Sequence, residues 1–202
     1  MKNAVTLLAI AGIATVAGAQ TATLSIVLST STTFTTGAAV TMTLAVYGDA
    51  DFGTALGGGG FGLVATGGEG LITGMTVSVA DWGALGFEDQ GDGGDGNYNG
   101  VVFGQLIFPP FIPASDDSLL GNGPVLIATF TVTLAADALG VIDWSTVGGL
   151  GDFDLEIFDD ATGLFTQITD AQQGSARVSV VPAPSALAML GLGGLAASRR
   201  RR

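Results

Sequence analysis

The sequence predicts an all-β fold, an antiparallel β-sandwich, and three observations carry that expectation. Apolar residues recur with period two in run after run, which turns one face of each segment inward and leaves the other wet. Clusters of Gly, Asp, Asn and Pro, the residues that tight turns select, separate the runs. Between the two ends no stretch shows the apolar stripe of an amphipathic helix. Of the 202 residues, residues 20–181 suit one domain of ordinary size.

Taken in order, the chain opens Met1-Lys2-Asn3, then runs apolar from Ala4 to Ala17 and ends Ala17-Gly18-Ala19 before Gln20. That charged, apolar, small-residue order is that of a secretory signal, so residues 1–19 are expected to be a signal helix removed after Ala19.

The strands follow. Leu24, Ile26 and Leu28 alternate with smaller or polar neighbours, and Val40, Met42, Leu44 and Val46 do so against Thr41, Thr43 and Ala45. Met75, Val77 and Val79 alternate with Thr76 and Ser78, and Phe153, Leu155 and Ile157 with Asp154 and Glu156. The longest alternation is Leu126, Ala128, Phe130, Val132 and Leu134, opposed by Thr129, Thr131 and Thr133. Shorter candidates are Phe61 to Ala65, Val101 to Phe108, Val141 to Trp144, Leu164 to Ile168 and Arg177 to Val181. Ala135 to Leu139 and Asp170 to Gln173 read as single helical turns. The glycine-rich stretches Gly57–Gly60, Gly67–Gly70, Gly91–Gly100 and Gly148–Gly151 read as loops, mobile unless something pins them. No repeat of fixed period is visible, which disfavours solenoids and propellers.

Composition closes several functions. With neither cysteine nor histidine, the chain can form no disulfide, Cys or His metal site, His general base or Ser-His-Asp triad. Five of the six basic residues, Lys2 and Arg199, Arg200, Arg201 and Arg202, lie at the tips, leaving Arg177 alone against 18 acids. Such a body repels phosphate backbones, so no nucleic-acid partner is expected. No catalytic residue is assigned.

One cluster suggests a cofactor, Ca²⁺. Asp95, Asn97 and Asn99 before Gly100 repeat the first half of an EF-hand loop, in which alternate oxygens converge on the ion, and Asp92 lies just upstream. Position twelve is Leu106 instead of the bidentate Glu, so distant carboxylates would have to complete the shell; the alternative is an acidic surface loop. Asp152, Asp154 and Glu156 are expected on one sheet face, more often the solvated side of an edge strand than a cation or sugar site. Trp82, Tyr98, Phe108, Phe111 and Trp144 lie in or beside loops and could form a sugar or peptide platform, although Trp82 and Trp144 suit the ends of the core better. Three prolines bar Phe108–Pro113 from a central strand.

The chain ends Val181-Pro182-Ala183-Pro184, then a small-residue apolar stretch from Ser185 to Ser198, then four arginines. As a helix that stretch would be about 21 Å long, short for a bilayer core of about 30 Å, a marginal transmembrane segment that snorkelling arginines would help to hold. The ending, residues 182–202, resembles the PEP-CTERM sorting signal of exported bacterial proteins: Pro182, Ala183 and Pro184 match its motif, with Ala183 where the family usually has Glu, and Arg199 to Arg202 match its tail. The resemblance implies an exosortase-type processing enzyme as partner and a transient stay at the inner membrane. It also implies delivery to the cell surface, outer membrane or extracellular matrix.

Across residues 22–181 the spacing of the long strands, the Gly-rich middle and the segment Leu126-Ile127-Ala128-Thr129-Phe130-Thr131-Val132 resemble the cohesin-like jelly-roll sandwich, which implies binding of dockerin modules. No contact residue carries over. The expected function is therefore a non-catalytic surface or matrix protein that binds through loops and one sheet face. The alternatives are a cohesin-like module gripping a dockerin-type protein and a carbohydrate-binding or carbohydrate-active protein with two facing carboxylates.

Overall fold

Period-two patterning becomes thirteen strands in the computed structural model, which describes residues 20–35, 37–53, 55–80, 88–104, 123–149, 153–159 and 161–183. The signal segment, Trp82, Phe108–Pro113, Asp152 and everything from Pro184 onward, including Ser185–Ser198 and Arg199–Arg202, lie outside these residues. The strands are β1 (Ala22–Leu28), β2 (Thr32–Thr35), β3 (Val40–Ala50), β4 (Ala55–Thr66), β5 (Ile72–Val79), β6 (Glu88–Asp89) and β7 (Asp92–Gly94). They continue as β8 (Asn97–Gly104), β9 (Val125–Leu134), β10 (Gly140–Gly148), β11 (Leu155–Asp159), β12 (Leu164–Ile168) and β13 (Ser175–Pro182).

Four strands form an antiparallel sheet in the order β1-β3-β9-β5. The other nine form a second sheet with β4 at its hub. β8 pairs with Gly58–Leu63 of β4, while β11 pairs with Ala55–Gly59 and β10 with Phe61–Thr66. Because β8 shares β4 residues with both, β11 and β10 lie in tandem on the opposite edge. β12 and β13 extend them, and β2 adds to β13. That last pair, Ser179↔Thr32 to Pro182↔Thr35, is parallel, so the sandwich is mixed and not antiparallel throughout. The parallel pair brings the early strand β2 beside the last strand.

The inward faces meet in one apolar core. Leu24, Leu44, Val46, Phe130, Val132 and Leu134 from the smaller sheet are at most 0% exposed, and Phe61, Leu63, Val101, Ile142, Trp144 and Val178 face them from the larger. Phe130 crosses the gap between the sheets to meet Phe61 edge-on (centroids 6.1 Å) and Tyr98 (4.9 Å). Edge-to-face pairs add about 0.5–1.5 kcal/mol each beyond the area they bury.

The structure departs from the expectations at several points. Gly57–Gly60 is the interior of β4 rather than a loop. Leu126, expected inside, is 36% exposed. A bulge opposite Val46 and Tyr47 inserts Ile127 into β9, so Ile127 and Ala128 are both buried and the alternation shifts by one residue. Gly48 leaves room for it, since a Cβ there would stand 3.1 Å from the Ile127 Cδ1. The two expected helical turns are a hydrogen-bonded turn, Ala138 N donating to Ala135 O, and a bridge between Gln172 and Thr23. Among the described residues no helix is long and apolar enough to cross a membrane.

Candidate functional site

The stretch Asp92–Asn99 forms a hairpin between β7 and β8. Asp95 and Gly96 occupy its turn with φ of 55° and 89°, the two positive angles of a type I′ turn, for which Asp-Gly is a preferred pair. That dipeptide was the signal for the hairpin. The candidate Ca²⁺ oxygens of Asp92, Asp95 and Asn97 accept from the backbone here. Asp92 accepts from Met75 N (2.8 Å) and Gly94 N (2.8 Å), Asp95 from Gly70 N (3.3 Å), and Asn97 Oδ1 from Ala65 N (3.0 Å). Asn99 Nδ2 donates to Gln90 O (3.4 Å). These bonds tie the hairpin to β4, β5 and the turn between them. Among the described residues no three acidic side chains gather in a group able to hold a metal.

Two buried rings anchor the same hairpin. Trp144, 1% exposed, donates from Nε1 to Gly96 O (3.1 Å), closing the end of the core as its composition suggested. Tyr98 is 4% exposed and donates its hydroxyl to Asp89 Oδ1 (2.5 Å), so it offers no surface platform. Burial first, and then the bond to Asp89, pushes its phenol well above the ordinary range.

Asp154 corrects the expectation of a solvated acidic face. It is buried, and it accepts from Gly149 N (3.0 Å), Ala171 N (3.1 Å) and Gln173 Nε2 (3.2 Å). Its strand neighbour β11 is no edge, being paired on both sides by β4 and β12. Asp154 therefore staples the junctions where β10 passes into β11 and β12 into β13. A buried carboxylate satisfied by three donors is structural by its contacts.

Sequence reasoning expected one binding sheet face without placing it, and the outer face of the larger sheet is the one that carries exposed large apolar side chains. Phe34, Val64, Val141, Val147 and Phe165 all point outward from it, five of the nine large apolar side chains exposed among the described residues. Register sets the three valines on the neighbouring strands β4 and β10, with Val141 beside Ser179, Ser145 beside Val64 and Val147 beside Gly62, while Phe165 and Phe34 lie on the terminal strands β12 and β2. The three valines and Phe34 alternate with inward residues such as Ile142, Leu63 and Thr33, so the outward half of the period-two pattern was the available signal there; Phe165 lies between exposed neighbours and gives no such signal. Between them Arg177 grips Asp143 with two bonds, Nε to Oδ1 at 2.6 Å and Nη2 to Oδ2 at 2.9 Å. The guanidinium's hydrogen bonds hold the Asp143 carboxyl below the usual carboxylate range. The pair, with Trp144, Ser175 and Ala176, borders an open depression of about 420 Å³.

The smaller sheet's outer face is hydroxyl-rich instead, with Thr41, Thr43, Thr76, Ser78 and Thr131 exposed. At its end an open depression of about 310 Å³ is lined by Thr21, Thr23, Asp49, Ala50, Asp51 and Gly123. Thr21 donates its N–H (2.8 Å) and hydroxyl (2.9 Å) to Asp51, which lowers that carboxyl's pKa. Asp49 lies in β3 and Asp51 just past its end, so they sit two residues apart on one stretch of chain and do not face each other across a cleft as glycoside hydrolysis requires.

The architecture has counterparts among solved structures. The seventh ScaB type I cohesin from Pseudobacteroides cellulosolvens superposes with a TM-score of 0.51 at 16% identity, over 80% of this chain and 94% of that one. The fold is a cohesin-like sandwich. A cohesin of Clostridium thermocellum OlpA in a cohesin–dockerin complex aligns with a TM-score of 0.48 at 10% identity, over 78% and 99% of the two chains. The sixth cohesin of Acetivibrio cellulolyticus scaffoldin B, in complex with a Cel5 dockerin, aligns at 0.43 and 13% identity, over 81% and 99%. No family model and no curated protein matches the chain. In this cohesin-like fold the tandem strands β10–β11 and the hub β4 build the face that carries the outward apolar rows.

Proposed function

We propose that the protein is an exported, non-catalytic binding module of the cell surface or extracellular matrix, holding a protein partner on the outer face of its larger sheet. The observation that carries this reading is the concentration of Phe34, Val64, Val141, Val147 and Phe165 on one face of a highly acidic chain. The one basic group between the chain's tips is there neutralised by Asp143. Apolar area with little net charge is what a protein interface presents at its centre. The cohesin-like fold supports the same use, and a dockerin-type module is the partner class that the sequence resemblance suggests. Sorting by an exosortase through Pro182-Ala183-Pro184 and Arg199–Arg202 belongs to this reading as the route to the surface.

The test is retention. A Val64→Asp, Val141→Asp double variant, folded and exported like the parent, is expected to leave the surface fraction and collect in the medium. Retention equal to the parent's would exclude this face as the contact. Ca²⁺ belongs to the reading only at the β7–β8 hairpin. Melting the protein with Ca²⁺ and then with chelator at fixed ionic strength checks it. A rise beyond that given by Mg²⁺ would assign Asp92, Asp95, Asn97 and Asn99 to the ion, and equal melting with both ions would remove it.

A further inference from the structure

We propose that Pro182 and Ala183 remain on the mature protein, so that the processing cut falls on the C-terminal side of Ala183. The inference rests on the sorting reading above and sharpens it. In the sequence these two residues open the sorting signal; in the fold they close the sandwich. β13 runs through Pro182, which lies opposite Thr35 in the parallel ladder with β2. Ala183 N then donates to Thr35 O at 3.0 Å, and Ala183 is 7% exposed.

Thr35 gathers this corner. Its hydroxyl reaches Ala138 O (3.3 Å) in the turn after β9 and Val181 O (3.5 Å) in β13, and it is itself buried along with Thr33. The ladder between β13 and β10 ends at the Gly140↔Val180 pair, so β2 is the strand that holds Val181–Ala183. Pro182 suits the last rung because a missing N–H costs least where a ladder stops.

Proteolytic enzymes take their substrates as free extended chain, and paired strands yield to them only after local opening. Cutting at or before the Pro182–Ala183 bond would therefore require β13 to peel from β2, breaking the Thr35 clasp. Bonds beyond Ala183 lie past the last of these contacts. Pro182 and Ala183 would thus serve twice, as part of the signal before processing and as the final rung of the sheet after it.

The purified full chain, digested with a broad-specificity endoprotease and a carboxypeptidase, gives a resistant body whose intact mass locates its C-terminus. That terminus is expected at Ala183 or later; trimming to Pro182 or earlier with the sandwich still folded overturns the inference. Thr33→Pro, which interrupts β2 at its middle, is expected to move the limit back before Pro182. An unmoved limit in a variant that retains the parent's circular dichroism would also overturn it. In cells, the mass of the surface-delivered protein separates the two ideas. A terminus at Ala183 or later with the arginine tail removed supports both, one at or before Pro182 sinks this inference alone, and an uncut chain still bearing Arg199–Arg202 sinks the sorting reading and this inference with it.

Discussion

Two stretches with four glycines each, Gly57–Gly60 and Gly91–Gly96, do opposite things. The first is the hub of the larger sheet. A Cβ on Gly58 would stand 2.8 Å from Phe103 O of β8, and one on Gly59 would overlap the Asp154 carbonyl oxygen on the other edge. Glycine is needed there because two neighbouring backbones press on the strand. In the second stretch Gly91 and Gly94 have open space around them, but φ values of 86° and 82°. Glycine is needed there because the turn demands a left-handed backbone. A count of glycines therefore does not measure mobility; what surrounds each one decides its role.

Substitutions can break that contrast, and Gly59→Ala is expected to do so most strongly. Adding one methyl group between the Asp154 carbonyl and the Phe103 ring should cost about 3 kcal/mol, read as a lowered denaturant midpoint. A loss below about 0.5 kcal/mol, the range of ordinary surface changes, would mean that β4 is not clamped from both sides. Asp154→Ala comes next, at about 2–3 kcal/mol, because it strands the Gly149 and Ala171 amides in a buried junction. Hydrogen exchange should localise the loosening to the residues between β10 and β11 and between β12 and β13.

Tyr98→Phe tests the anchor of the hairpin. Loss of the bond to Asp89 should cost about 1.5 kcal/mol at neutral pH. The phenol's folded pKa lies well above the ordinary tyrosine value of about 10. The parent therefore keeps this contribution in full below about pH 10 and loses it as the pH rises toward the folded value. Melting temperature followed from pH 8 to about pH 11 should fall more steeply for the parent than for Tyr98→Phe; parallel curves would refute the assignment. The smallest effect is expected from Gly94→Ala, about 1 kcal/mol, since only the backbone conformation resists it. If Gly94→Ala proved as costly as Gly59→Ala, the distinction between crowded and merely left-handed glycines would collapse.

Much of the sandwich was legible because half-buried strands write themselves with period two. β3 obeys it from Met42 to Ala50, and Trp144, placed by its sequence at the end of the core, is buried there. Leu126 escaped because a bulge is a property of a strand pair, and neither β3 nor β9 alone announces it. β4 escaped because glycine has no side chain with which to alternate. Asp154 escaped for a related reason: its alternation with Leu155 and Ile157 predicts a face. Whether that face meets water depends on the tandem strands that wrap around it.

By itself, then, the amino-acid sequence determined the all-β class, the inward residues of the regular strands and the absence of cysteine and histidine chemistry. These follow from local patterning and from which side chains exist. Tertiary structure alone decided that β10 and β11 share one edge of β4, that Thr35 clasps the end of β13, and that the outward valines and phenylalanines gather on one face. Each is a relation between segments far apart in the chain. Strand order and register settle such relations, and only the simultaneous packing of both sheets selects them.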